Sequence, residues 1–255
     1  MNCHEMDAIL FSGGELPPEA REHLATCESC RALAGVMGAD VSYDIDAATL
    51  EQARRQIPQD LLPVKPLAPA NVFAAGFLVV AAALAAGAAS LVGLHGLAVL
   101  APAQELVVFT VLPALLLLAA FALARDMRPG AWTMKGGVVS GLAFGAIELV
   151  FVSLFSDYSM GRFVHEGTVC FRFGMAIAIV TAALTWLAVR RGYVVAPIST
   201  GATIGALSGL AGLTALELHC PILYVPHLAV WHAGVLVTSI ALGAAAGWLG
   251  RVKPA

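Results

Sequence analysis

His23-Leu24-Ala25-Thr26-Cys27-Glu28-Ser29-Cys30, with Cys3 upstream, supplies His-x3-Cys-x2-Cys and one further thiol. Three thiols and an imidazole make the donor set of a tetrahedral structural Zn²⁺, and the Cys-x2-Cys hook lets two sulfurs reach one ion from a tight turn. A soluble domain this small needs such a staple, because a core drawn from about 40 to 60 residues is marginal on its own. The stretch also divides the chain. Residues 1–60 read as a cytoplasmic zinc-binding domain, 61–70 as a proline-rich tether and 71–255 as membrane. The fold class is all-α: a small zinc-bound helical domain followed by a six-transmembrane-helix bundle.

The surroundings of the motif read as helical. Pro17 and Pro18 sit where a first turn tolerates proline, and Glu19 and Glu22 favour a helix N-terminus. His23 and Cys27, four apart, share a helical face. The expectation is one helix presenting both, with Cys30 just past its end. A first helix containing Met6, Ile9 and Leu10 brings Cys3 across, and His4 is the competing ligand to Cys3. With four protein ligands the ion has no open position, so hydrolysis there is not expected and the chain does not read as an enzyme.

Cys3, Gly14-Glu15-Leu16 and His23-Leu24-x2-Cys27-x2-Cys30 together resemble the zinc-binding anti-sigma domain of bacteria. The resemblance covers about the first sixty residues. It implies zinc bound by Cys3, His23, Cys27 and Cys30, and helices that hold a sigma factor away from RNA polymerase. The helix making most of those contacts in the family corresponds to residues 47–57.

Composition decides the rest. Of 255 residues, 59% are hydrophobic and 12% charged, with a mean hydropathy of +0.84. Long uncharged runs of this kind are transmembrane helices. They fall at about residues 72–94, 106–124, 138–155, 169–189, 197–218 and 228–249, each close to the ~20 residues that cross the hydrocarbon. The first thirty residues lack the basic start and apolar run of a cleavable signal peptide, so the first span serves as the targeting signal. Four prolines over residues 58–69 make an extended, stiff connection.

With a cytoplasmic N-terminus, one side holds Lys65, Arg125, Arg128, Lys135, Arg190, Arg191, Arg251 and Lys253, and the other only Arg162 and Arg172. The positive-inside rule therefore places both termini in the cytoplasm of a multi-pass inner-membrane protein. The zinc domain then lies in a reducing compartment, where its cysteines stay thiolate ligands. Up to Asp60 there are eleven acidic residues against four arginines, a formal balance of −7. Such a domain steers towards a basic protein partner and away from nucleic acid.

Within the membrane part, Gly137/Gly141/Gly145, Gly201/Gly205/Gly209 and Gly243/Gly247 form rows that allow close helix packing, inside the bundle or in a homodimer. Glu148 is costly in the bilayer unless paired, and Arg172 on the next span is its expected partner. Cys170 and Cys220 fall at the same, outer end of the spans, where a disulfide or a redox-sensitive dithiol is allowed. His219, His227, His232 and Cys220 are the competing metal set.

Arg190-Arg191-Gly192, the Gly-rich fifth span, Leu218-His219-Cys220-Pro221 and the sixth span resemble the six-helix family named for the negative regulator of sigma F. The resemblance covers about residues 72–250 and implies an integral membrane anti-sigma factor with Cys170 and Cys220 as the signal-sensing pair and His219 beside them. Two departures stand out: the zinc domain replaces a short N-terminal tail, and Ile222 follows Pro221 where an acidic residue is typical. The combined expectation is a membrane-anchored anti-sigma factor that sequesters a sigma factor through its zinc domain and releases it on an envelope signal. The competing class is a transporter or channel-like protein with an accessory zinc domain.

Overall fold

A computed structural model of the chain describes residues 1–12, 16–36, 48, 50–52, 54–55, 67–128, 134–160, 163–192 and 194–250. The chain divides into two compact units, Met1–Lys65 and Pro66–Ala255. Every regular element among the described residues is a helix.

The first unit contains α1 (Cys3–Ser12), α2 (Pro18–Thr26) and α3 (Glu28–Val36). Asn2 caps α1 reciprocally with Glu5: the Glu5 N–H donates to Asn2 Oδ1 and the Asn2 N–H to Glu5 Oε2, both at 2.9 Å. This cap fixes Cys3 in the first turn. Met6 and Leu10 of α1 meet Ala20 of α2 and Cys30 and Ala34 of α3 in a small buried core. Pro17 precedes α2 and Pro18 opens it, as their positions predict.

One expectation is corrected here. His23 and Cys27 do not share a helix, and Cys30 does not lie past a helix end. The α2 helix stops at Thr26, and Cys27 takes an extended conformation (φ −105°, ψ 108°). Cys30 sits in the first turn of α3. The physical cause is Arg31, whose guanidinium donates to the carbonyls of Leu24 and Ala25. A cation on the last carbonyls of α2 satisfies groups that a continuing helix would have used. The helix expected over residues 47–57 falls partly outside the described residues. Ala48, Leu50, Glu51, Gln52, Arg54 and Arg55 are helical, and Arg55 pairs with Glu51 at 3.2 Å. Gly14, Glu15 and most of the tether also lie outside the described residues.

The second unit contains six helices long and apolar enough to cross a membrane: α4 (Ala70–Val92), α5 (Pro102–Asp126), α6 (Gly136–Leu154), α7 (Phe163–Val189), α8 (Pro197–His219) and α9 (Val225–Gly250). Their ends depart from the sequence expectation by a few residues. The largest shift is in α7, which starts at Phe163 because its first turn is held by Phe163 stacking on Trp231, ring centroids 5.5 Å apart. The second span starts early because Pro102 opens it and Gln104 accepts from the Ala101 N–H at 3.0 Å.

The α8 helix is the axis of this unit. It packs against all five other spans. Its apolar window is 89% buried, against 28–44% for the others. Glycine makes that possible. A methyl group on Gly201 would overlap the carbonyl oxygen of Gly243 on α9, and one on Gly205 would overlap that of Ser239. The Gly201/Gly205 and Gly243/Gly247 rows therefore pack against each other. Gly137, Gly141 and Gly145 on α6 face open space instead.

This contrast sets a test. Gly205→Leu forces α8 from α9 and costs roughly 1–3 kcal/mol, the usual penalty for overpacking. At about 2–4 °C per kcal/mol for a unit of this size, the detergent-solubilised protein loses several degrees in Tm. Gly141→Leu leaves Tm unchanged. Circular dichroism melting of the two variants distinguishes them.

Candidate metal centres

The first site is built by the break between α2 and α3. Cys3 Sγ lies 3.7 Å from His23 Nε2 and 3.8 Å from Cys27 Sγ. The ligand atoms of Cys3, His23, Cys27 and Cys30 all lie within 4.8 Å of one another. Ligands held ~2.0–2.3 Å from one ion at tetrahedral angles are about 3.3–3.8 Å apart, and the two Cys3 distances fall in that range. His4, the competing ligand, is not in the group.

The thiols are electrostatically unequal. Burial pushes the Cys30 thiol up to about 12. Hydrogen bonding from the Cys30 backbone, then from the Cys30 and Cys3 side chains, holds Cys27 below the ordinary thiol value. A bound divalent cation is the charge that lets sulfurs this close together ionise side by side.

The second unit brings together residues that the sequence reading had distributed differently. Cys170 of α7 and Cys220, just past the end of α8, are free, buried thiols with Sγ atoms 3.4 Å apart. His219 is not part of their group. Its Nδ1 pairs with the Gly93 carbonyl at 2.8 Å, and its ring lies against His95 and Phe173. Gly93 takes a positive φ of 105°, which turns the chain after α4 so that this carbonyl faces α8. Of the competing metal set, His227, His232 and Cys220 do come together, and Cys170 takes the place of His219: Cys170, Cys220, His227 and His232 have ligand atoms within 4.8 Å of one another.

Glu148 and Arg172 do not pair. The α6 and α7 helices each pack on α8, which separates them. The buried acid of this unit is Glu217, which pairs with His232 Nδ1 at 2.7 Å. Sequence analysis gives no sign of this pair, because His232 lies fifteen positions on, across the loop between α8 and α9.

Comparison with known proteins adds one finding. A family model described as negative regulator of sigma F matches residues 58–250. Neither a curated protein nor a solved structure matches the chain. The Cys3/His23/Cys27/Cys30 unit lies before the matched residues.

If the first cluster is a closed structural centre, Cys27→Ser with Cys30→Ser removes one equivalent of bound metal from the purified chain. The same change exposes Met1–Lys65 to limited proteolysis, because a core this small depends on the ion. Metal analysis and a protease time course on the same sample check both.

Proposed function

The chain belongs to the negative regulator of sigma F family, and we propose that it is a membrane-anchored anti-sigma factor whose N-terminal zinc domain sequesters a sigma factor. The observation that carries the reading is the joining of a family-matched six-helix unit to a separate unit holding a four-ligand Cys/His cluster. The family points to a regulator that is not an enzyme.

In this reading residues 1–60 are the cytoplasmic zinc domain, 61–70 the tether and 71–255 the membrane domain. Zn²⁺ is the ion at Cys3, His23, Cys27 and Cys30, because three sulfurs and one nitrogen in a closed tetrahedral set suit it. The distribution of Lys and Arg supports an inner-membrane protein with both termini in the cytoplasm. The formal balance of −7 over residues 1–60 supports a basic protein partner, and a sigma factor, with its DNA-binding surfaces, is one. The free thiols Cys170 and Cys220 are the elements assigned to receive an envelope signal. A homodimer built through a small-residue row has the row Gly137/Gly141/Gly145 open to it.

Release requires that the signal change the affinity of the zinc domain for its partner. A signal that the sequestering and released states bind equally well shifts nothing.

The test is co-expression of the full chain with the sigma factors of its host, followed by solubilisation and affinity capture. One sigma factor is retained by the wild-type chain and lost by the Cys27→Ser, Cys30→Ser variant. Capture weakens as salt rises, because the acidic surface contributes. A chain that retains its metal and recovers no sigma factor overturns the reading.

A further inference from the structure

The membrane unit carries a second group of metal-ligating side chains, independent of the first. Cys170, Cys220, His227 and His232 are each at most 9% exposed, and His232 is fully buried. Cys220 Sγ lies 3.4 Å from Cys170 Sγ and 3.5 Å from His227 Nε2. These two distances fall in the range of edges of a tetrahedron around a single ion, and all four ligand atoms lie within 4.8 Å of one another.

Two further observations point to a cation. The first is His232. Its Nδ1 is committed to Glu217 at 2.7 Å, which leaves Nε2 as the ligand atom, and Nε2 is buried with no hydrogen-bond partner among the described residues. A buried imidazole nitrogen without a partner is costly, and a carboxylate behind the opposite nitrogen is the usual outer support of a metal-bound histidine. The second is the backbone. His227 and His232 are five residues apart, which in an α-helix separates them by about 140°. Between them Leu228–His232 is π-helical, and the wider turn brings their rings to 5.0 Å. Such π-bulges are rare and frequently lie at functional sites.

We propose that Cys170, Cys220, His227 and His232 form a second, closed tetrahedral site for a soft divalent cation, Zn²⁺ being its natural occupant, with Glu217 as the positioning residue for His232. Binding releases the thiol protons of Cys170 and Cys220 to solvent and changes no oxidation state. A cavity of about 230 Å³ bounded by His165, Glu166, Cys170, His219 and Cys220 lies beside the thiols and gives the ion its approach. The bound ion ties α7, the end of α8 and the start of α9 to one another. This site does not depend on the anti-sigma reading.

The test uses the full chain in detergent under reducing conditions, with Cys27→Ser and Cys30→Ser in place to silence the first site. The probes are Zn²⁺ and Co²⁺. The expected result is one residual equivalent of Zn²⁺, and with Co²⁺ a thiolate-to-metal charge-transfer band together with tetrahedral d–d bands. Cys220→Ser abolishes both signals. Glu217→Gln keeps the band but weakens Co²⁺ binding roughly 10–100-fold, the usual cost of losing an outer-shell partner. A monodisperse protein with no residual Zn²⁺ and no cobalt band overturns the proposal. Recovery of a Cys170–Cys220 disulfide from the reduced preparation overturns it as well.

Discussion

The contact on which the membrane unit depends is backbone against backbone. Inside a bilayer, apolar side chains gain little by leaving lipid for one another, so helix association rests on close packing and on polar contacts. On α8 that packing reaches its limit at Gly201 and Gly205, which lie against the main chain of Gly243 and Ser239. Gly212 does the same against Gly174 of α7. These contacts leave little freedom to slide, because any Cβ in the seam forces the helices apart. They therefore set the register of α7, α8 and α9 along their whole length.

That register places the second Cys/His group. Its four ligands come from three elements: Cys170 from α7, Cys220 from just past the end of α8, and His227 and His232 from α9. No local motif holds them together. A one-residue slip of α7 or α9 against α8 would turn a ligand to another face, so the glycine seam below the group does for it what a Cys-x2-Cys turn does for the first site. The paired Glu217 and His232 add the polar part of the same constraint. Both are buried at the end of the seam, where separating either from its partner is costly.

Much of this was legible in the sequence, for identifiable reasons. The six spans follow from long apolar runs, and the first ligand set follows from spacing that is local in the chain. What sequence reasoning missed was non-local or depended on backbone detail. The break at Cys27 comes from Arg31 reaching back to the carbonyls of Leu24 and Ala25, which no periodicity shows. The set of His227, His232 and Cys220 is foreseen from the sequence, but not that Cys170 of another span completes it, nor that a π-turn is what brings the two rings to one face. The expected Glu148–Arg172 pairing joins consecutive spans, but α6 and α7 are separated by α8, which comes later in the chain. The same reason explains why His219 was assigned to the thiols: it precedes Cys220 in sequence, yet faces α4.

The arrangement of the membrane unit bears on how two separate units could work together. The thiols lie at the end of the bundle where α4 turns at Gly93 and α8 ends at His219. The chain enters this unit at the opposite end of α4, where Arg128 holds the Ala68 carbonyl. A helix of 23 residues spans about 35 Å at 1.5 Å per residue, so the thiols and the start of α4 lie about that far apart along packed helices. Close-packed seams do not stretch. They move as bodies or re-seat between discrete arrangements, and they transmit a small shift at one end without dissipating it. Both α7 and α9 are held on α8 by glycine against backbone, whereas Gly76 and Gly87 of α4 face open space. Of these, α4 alone leads into the tether. The packing of α4 on α8, with the bond from His219 to Gly93, therefore joins the thiol end of the bundle to the end at which the chain enters it.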